Sequence, residues 1–276
     1  MTRMGTVWDQ TVDVLRGRGA ILAGIALPLL FLPSVVNGVL QAYVGEKPGG
    51  MAALAVGLVG IAVVVVTLLG VLSVTAVASD PATGGAAARG IAMRRIGALI
   101  GVLLAVVGAA MLAALPVVVL LVLSGTRMSA AGVPDFGTAS GGMLALAVLA
   151  SIALFVALIW LSVRLAPLVA VVANERRGLG AVRRSIALTR GSAMRLFGVQ
   201  LLYAIVTVVV MGAAGGVFGV VIVLLLGPGV VASALLAVVT AAITALASVV
   251  QSVFCARFYA LAVEHEAAVT EAGTLA

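Results

Sequence analysis

Long runs of apolar residues without a single charge dominate the pattern of this chain. Five stretches free of Asp, Glu, Lys and Arg run for 27, 32, 31, 28 and 61 residues. Each exceeds the roughly 20 residues that a helix needs to cross the hydrocarbon core of a bilayer. The longest stretch contains Gly227, Pro228 and Gly229, a strong helix breaker, and so divides into two. The pattern therefore predicts six transmembrane helices, at about residues 20–40, 51–76, 96–121, 143–163, 196–225 and 230–256.

The positive charges between the predicted spans are distributed very unevenly. Connections alternate between the two sides of a membrane, and Lys and Arg accumulate on the cytoplasmic side. One alternating set holds 14 of these residues, whereas the other holds only Lys47 and Arg127. Both termini are therefore predicted to be cytoplasmic. The chain then divides into an N-terminal segment (1–19), a transmembrane domain (20–256) and a cytoplasmic tail (257–276).

The composition supports a membrane protein and excludes other classes. Of 276 residues, 64% are hydrophobic and 9% are charged, and the mean hydropathy is +1.34; soluble domains are about half apolar and a quarter charged. We therefore expect an all-α polytopic membrane bundle. Cys255 and His265 are single residues of their kinds, so we expect no disulfide, metal site or cofactor. The net charge is +7, and the cationic residues flank the hydrophobic spans. They are not gathered on a folded basic surface, so we expect no nucleic-acid partner.

A short amphipathic segment precedes the first span. Between residues 7 and 16, helical spacing separates a polar face from an apolar one. The apolar face is made by Val7, Trp8, Val12, Val14 and Leu15. We interpret this segment as a helix in the cytoplasmic interface, with Trp8 at headgroup depth. The alternative is a solvated helix that leads into the first span.

The connection between the fourth and fifth spans, residues 174–195, has the highest charge density of the chain. Leu179, Val182 and Ile186 share one side of a second amphipathic helix. The connection also carries Arg176, Arg177, Arg183, Arg184, Arg190 and Arg195. We predict that these guanidinium groups contact anionic headgroups or a partner. An equally strong alternative is that they only fix the topology, and both can hold together.

An arginine and a glutamate mark the junction between the fourth span and this connection. Arg164 lies three residues before Pro167, and Glu175 follows eleven residues after Arg164. If the helix continues through Pro167 to Ala173, both side chains fall on about the same face. We therefore predict that Arg164 and Glu175 pair and fix the junction. The alternative is an arginine that extends to the interface without an acidic partner.

The sixth span carries a stripe of hydroxyl groups at four-residue spacing, with Gln251 beside it. The stripe consists of Thr240, Thr244, Ser248 and Ser252. It could line a polar path or substrate cleft. We favour instead hydroxyls that bond to preceding carbonyls or neighbouring helices, because transporters usually place ionisable groups at mid-membrane.

Small residues recur four apart in several spans, including pairs at Gly212 and Gly216 and at Gly215 and Gly219 in the fifth, and the longest stripes are in two others. The third span has Gly97, Gly101, Ala105 and Ala109, and the sixth has Ala237, Ala241 and Ala245. Such spacing lets helix backbones approach closely. We predict that both stripes are packing surfaces.

The region from residue 164 to 198 resembles a known family. The matching residues are Arg164, Pro167, Glu175, Gly178, Ala181, Ser185, Leu188, Thr189, Arg190 and Gly191. With the amphipathic opening around Trp8, they are similar to the six-span bacterial glycerophosphoryl diester phosphodiesterase membrane domain family. The phosphodiesterase barrel that gives the family its name has no counterpart here. The resemblance therefore implies a stand-alone membrane module and transfers no catalytic residue.

These observations lead to two functional expectations. No nucleotide-binding loop, nucleophile with a base, or pair of mid-membrane aspartates occurs in the sequence, so we do not expect an enzyme. We expect an integral protein of the bacterial inner membrane that contacts anionic lipids, a partner protein or a second copy through its arginine-rich cytoplasmic face. The alternative is a transporter or permease component that uses the polar face of the sixth span.

Overall fold

The computed structural model describes residues 4–45, 49–125, 127–128, 134–135, 140–175 and 177–274. Its helices are α1 (Met4–Gly17), α2 (Gly19–Ala26), α3 (Leu32–Val44), α4 (Gly50–Ser79), α5 (Gly85–Leu123), α6 (Gly141–Arg164), α7 (Leu168–Glu175), α8 (Gly180–Leu188), α9 (Ala193–Leu226) and α10 (Val230–Thr274). A π-helical turn, Leu27–Phe31, joins α2 to α3. Arg127–Met128 and Pro134–Asp135 form a two-residue antiparallel pair. Arg176, a predicted headgroup contact, lies outside the described residues.

Six helical segments within the described ranges are long and apolar enough to cross a membrane. They are Gly19–Val44, Gly50–Ser79, Gly85–Leu123, Gly141–Glu175, Ala193–Leu226 and Val230–Glu271. The prediction of a helical fold with six membrane helices is therefore confirmed. The last two segments are separated at Gly227, whose φ of 74° is a helix-ending conformation that glycine adopts without steric cost.

The last helix is longer than predicted. α10 has 45 residues and continues to Thr274, whereas the predicted span ends at Ala256. Residues 257–274 are rich in Ala and Glu, contain no proline, and have their first glycine at Gly273. These are good helix formers. The segment predicted as a tail therefore extends the sixth membrane helix.

The hydrogen-bond pattern of the first membrane segment changes near its two prolines. In a regular helix, Pro33 would lack an N–H to donate, and its ring would clash with the carbonyl four residues earlier. The π-helical turn shifts the pattern by one residue, so that the Leu32 N–H donates to the Leu27 carbonyl. Gly70 of α4 packs against this turn, where an added Cβ would lie 2.7 Å from Leu30 Cδ2.

The fourth membrane segment is interrupted near its end. α6 ends at Arg164, and α7 begins only after a turn that includes Pro167. Proline removes a helical N–H and restricts the residue before it, which explains the interruption. α6 packs on α5 and α9, whereas α7 packs on α4, α5, α8 and α10. The predicted extension to Ala173 is therefore helical, but it is not continuous with α6.

Most buried residues lie at one end of the bundle. We call it the basic end; it comprises α1, the end of α4 from Gly70 with the connection 80–84, the segment from α7 to the first turn of α9, and the part of α10 beyond Val249. In α4 every buried residue lies between Gly70 and Ala78. In α9, which is described throughout, the one buried residue is Leu196 in the first turn. The opposite half, which contains the helix ends at residues 44, 123 and 226, leaves most of its helical surface exposed.

The two predicted small-residue stripes differ in their surroundings. Ala241 and Ala245 are buried, and Ala237 meets α3 at Gly38, where an added Cβ would lie 2.7 Å from the Ala237 Cβ. The stripe in α10 is therefore a packing surface, as predicted. The stripe in α5 is exposed over its whole length, with no side chain or neighbouring backbone near Gly97 or Gly101. Within the described part of the chain, the prediction for α5 is wrong.

Candidate functional site

Arg18 holds the end of α4 at the basic end. The last carbonyls of a helix have no partner within the helix and carry its negative dipole end. The Arg18 guanidinium donates to the carbonyls of Val77, Asp80 (3.0 Å) and Thr83 (2.7 Å). It therefore caps α4 and ties it to the start of α2.

The connection after α4 is further ordered by its own carboxylate. The Ala82 N–H and the Thr83 hydroxyl each donate to Asp80 at 2.8 Å. The bond from the Ala82 N–H is the main cause that lowers the pKa of Asp80, with the Thr83 bond and the nearby Arg18 charge adding to it. Asp80 is thereby kept ionised beside the cation that caps α4.

Arg257 joins three helices at the same end. Its guanidinium donates to Gln10 Oε1 of α1 at 2.9 and 3.2 Å. It also donates to the Ala78 carbonyl of α4 at 3.2 Å. Arg18 and Arg257 entered the sequence argument only as topology signals, but both are bonded to protein groups. No spacing pattern could reveal this, because their partners lie 59 or more positions away.

Glu175 is the centre of a charged cluster between α7, α8 and α10. Its carboxylate accepts hydrogen bonds from Arg184 Nε (3.1 Å) and the Tyr259 hydroxyl (3.0 Å). It also forms an ion pair with Arg177, whose Nε lies 3.0 Å away. Arg184 also forms a bidentate pair with Glu266. The Glu266 bonds are the main cause that raises the pKa of Arg184 above its ordinary value. The cluster fixes α10 against the short helices.

The predicted pair of Arg164 and Glu175 is wrong. The prediction required one continuous helix, but the turn at residues 165–167 separates α6 from α7. Glu175 is instead bound by the arginines that follow it. Arg164 stacks on Trp160, with its guanidinium carbon 3.9 Å from the ring centroid. The junction is held by a different bond, from the Ser185 hydroxyl to the Arg164 carbonyl (2.8 Å).

The predicted headgroup contacts separate into two groups. Arg184 is only 20% exposed and is bound to acidic side chains, so it is a structural residue. Arg177 is bound to Glu175 but more than half exposed. The remaining described members are exposed and have no partner among the described residues: Arg183, Arg190 and Arg195.

Helix α8, which carries Arg183 and Arg184, is shorter than the predicted connection, and its buried face differs from the predicted apolar one. α8 buries Ala181 and Ser185, while Thr189 is buried just after it. Leu179, on the predicted apolar side, is 64% exposed. The larger apolar side chains are therefore only partly used for packing.

The amphipathic N-terminal segment forms helix α1 and packs on the bundle through part of its apolar face. Val7 is fully buried and belongs to a cluster with Leu196 and Phe258. Trp8 is about half exposed and lines an apolar cavity of about 540 Å³ between α1, α9 and α10. The predicted helix is thus present, and Trp8 lies at its surface.

The hydroxyl stripe of the sixth span bonds largely to its own helix. Thr240 donates to the Leu236 carbonyl (3.0 Å), Thr244 to that of Thr240 (2.8 Å) and Ser252 to that of Ser248 (2.6 Å). Hydroxyls bonded to preceding carbonyls are the arrangement that we favoured over a polar transport path. These hydroxyls are therefore already satisfied within α10.

A polar cluster that the sequence argument largely missed lies beside the stripe. Gln251 Nε2 donates to Gln200 Oε1 of α9 at 2.8 Å, and both amides lie near Cys255 Sγ. Tyr203 donates to the Ala247 carbonyl at 2.6 Å. The glutamine pair borders both the 540 Å³ cavity and a second one of about 400 Å³. The available signal was that only these two of the four glutamines fall within predicted spans.

Comparisons of the chain with protein-family models, with curated proteins and with solved structures give no match. The resemblance to the phosphodiesterase membrane domain family therefore stays a prediction.

Proposed function

We propose that the protein is a non-enzymatic integral membrane module that associates with anionic lipids through the basic end. The observation that supports this is the division of the arginines. Those near acidic groups or helix ends are bonded to the protein, as Arg18, Arg184 and Arg257 are. Arg183, Arg190 and Arg195 remain exposed, with no partner among the described residues. Because these three guanidinium groups have no partner in the described structure, they are available to bind lipid phosphates.

The physical basis is the charge of the lipid surface. Each exposed Arg near an anionic membrane contributes roughly 1 kcal/mol to association. Guanidinium groups also match phosphate geometry with two parallel hydrogen bonds. Trp8 suits the same depth, because its ring is amphipathic and half exposed. A partner protein with an acidic surface, or a second copy, would use the same groups.

The proposal places the basic end in the cytoplasm, with both termini on that side, as in a bacterial inner membrane. The excess of Lys and Arg on one set of connections supports this orientation. Single cysteines at Gly178 and Gly229, in a protein with Cys255 replaced by Ala, should be labelled from opposite sides. Neither position has a neighbouring side chain that a cysteine would displace.

The decisive test neutralises the exposed arginines together. Arg183→Gln, Arg190→Gln and Arg195→Gln in one protein should lower its affinity for anionic lipid, measured in detergent with phosphatidylglycerol, by at least about tenfold. The matched control replaces the same three residues by lysine, which keeps the charge and should retain most of the affinity. Equal affinity in the glutamine and parent proteins would contradict the proposal.

A second candidate function is a transporter component, and the Gln200–Gln251 pair favours it. The pair is the one place where two cavities meet polar groups of α9 and α10 in the described structure. A polar path would admit water, so Ser248→Cys and Gln251→Cys should react with a membrane-impermeant thiol reagent when Cys255 is replaced by Ala. Leu246→Cys, on the exposed apolar side, is the control that should not react. Failure of both test positions to react from either side would remove this candidate.

A further inference from the structure

Arg164 differs from every other arginine discussed above. Its Nε is shut off from solvent and has no hydrogen-bond partner among the described residues. The exposed arginines can be hydrated, and the buried ones are bonded to carboxylates or carbonyls. A buried donor on a charged group is costly to leave unsatisfied. An acceptor from outside the chain would complete this site.

The position of the guanidinium is already fixed by the protein. Arg164 is in the last turn of α6, where the helix dipole favours a cation. Stacking on Trp160 at 3.9 Å holds the plane of the group. These contacts orient the cation, and its terminal N–H groups donate to no described residue. The arrangement is that of a preorganised anion contact.

An apolar crevice begins directly beside this arginine. It has a volume of about 270 Å³ and lies between α6 and α9. Its walls include Val156, Ile159, Trp160 and Val163 of α6, and Met194 and Phe197 of α9. Val156, Trp160 and Arg164 are spaced four residues apart and so share one face of α6. The crevice therefore follows that face as far as Trp160, and the Arg164 guanidinium lies against this tryptophan.

We infer that this crevice binds one acyl chain of an anionic phospholipid while Arg164 binds its phosphate. The volume is below that of most small-molecule sites, so it accommodates part of one chain and not a whole lipid. Trp160, half exposed at the rim, lies where the chain meets the headgroup. Planar guanidinium recognises phosphate oxygens through paired hydrogen bonds.

The surroundings favour a lipid over a free anion or an acidic peptide. The walls carry aliphatic and aromatic side chains that face the hydrocarbon, which a soluble anion would not use. Glu175 is bound by Arg177 and Arg184 and has no ion pair with Arg164, so it does not compete with a ligand for Arg164. The inference rests on the proposed function only for the membrane setting, because the exposed arginines are not part of this site.

Trp160 provides a direct reporter for the experiment. The chain has two tryptophans, so Trp8→Phe leaves Trp160 as the single fluorophore. This protein is reconstituted in phosphatidylcholine vesicles that contain increasing fractions of brominated phosphatidylglycerol or brominated phosphatidylcholine. We expect half-maximal quenching of Trp160 at about a fivefold lower fraction of the anionic lipid.

Variants then assign the selectivity to Arg164. Arg164→Gln in the same background should make the two brominated lipids equally effective, whereas Arg94→Gln, at an exposed position on α5, should leave the selectivity intact. If the glutamine variant is not recovered folded, Arg164→Lys keeps the charge and should still lose more than half of the selectivity. Equal quenching in the parent, or selectivity that survives both changes, would overturn the inference.

Two further experiments distinguish a lipid site at Arg164 from a free-anion site and from lipid binding by the exposed arginines. Inorganic phosphate that abolishes the selectivity, when chloride of equal ionic strength does not, would show a free-anion site and overturn the inference. The triple glutamine variant at Arg183, Arg190 and Arg195 should keep the selective quenching of Trp160. Its lower overall lipid affinity would then test the proposed function separately from this site.

Discussion

The two halves of the bundle are held together by different means. At the basic end, α4 buries a continuous run from Leu72 to Ala78, and Arg18 and Arg257 bond to the end of that helix. In the opposite half, the same helix exposes Met51, Leu54 and Leu58. One helix therefore passes from a packed, hydrogen-bonded environment into one where it has few protein neighbours.

The difference between the two halves follows from the interactions that stabilise helix packing in each of them. In hydrocarbon, apolar side chains gain little by leaving lipid for a neighbouring helix, so association needs close backbone approach or polar contacts. The opposite half has such an approach at Gly38 and Ala237. The basic end adds many polar contacts between helices, such as those of Arg18, Arg184 and Arg257. The packed end is therefore where substitutions should change stability most.

The largest effect is expected from the cluster around Glu175. Arg184→Met removes the partner of both Glu175 and Glu266 and leaves a mostly buried carboxylate with fewer donors. We expect a loss of about 2 kcal/mol in the free energy of unfolding, measured in detergent by thermal or chemical unfolding. Arg183→Met, the exposed neighbour, is the matched control and should be close to the parent. Equal stability of the two variants would show that the cluster does not hold the basic end.

A smaller effect should separate the two halves within α4. Gly70→Ala places a Cβ 3.0 Å from the Leu29 Cβ and closer still to Leu30, which should cost about 1–2 kcal/mol through overpacking. Gly57→Ala, on the same helix in the opposite half, meets no atom within 4 Å and should stay within about 0.5 kcal/mol of the parent. Unfolding of the two variants under the same conditions gives the comparison. A larger loss at Gly57 would contradict the description of the two halves.

The smallest effect concerns pH at the connection after α4. The hydrogen bonds to Asp80 lower its pKa in the folded protein below the ordinary value of 3.8. The stabilisation is therefore complete above that ordinary value and is lost as pH falls through the lower, folded pKa. We expect faster amide exchange at Ala82 in that acidic range, after correction for intrinsic exchange. Asp80→Asn should remove this pH dependence, and a dependence that persists would assign it to another group.

The sequence was sufficient for the membrane helices because each needs only a long apolar run. The break at Gly227 was also readable, since glycine and proline interrupt a helix locally. The turn at Pro167 was harder to predict, because proline can also lie within a continuous helix, as Pro116 does in α5. The predicted pair of Arg164 and Glu175 assumed a helix that continues through Pro167. Because the helix is interrupted there, the two side chains do not pair.

The contacts in the candidate sites join residues that are far apart in the sequence, so no local pattern could predict them. Gln200 and Gln251 are 51 positions apart, and Arg257 and Gln10 are 247 apart. The exposed arginines could be named from the sequence, but not distinguished from Arg184, because the distinction depends on where Glu266 lies. The extended α10 brings Glu266 to Arg184, and the predicted tail had assigned no such position.

The length of α10 has a mechanical consequence. Its 45 residues rise about 68 Å, against roughly 45 Å for a bilayer with its headgroups. In such a bilayer, about 20 Å of an untilted α10 would extend past the membrane surface. The bond from Arg184 to Glu266 would then tie this outer part of the helix to α8.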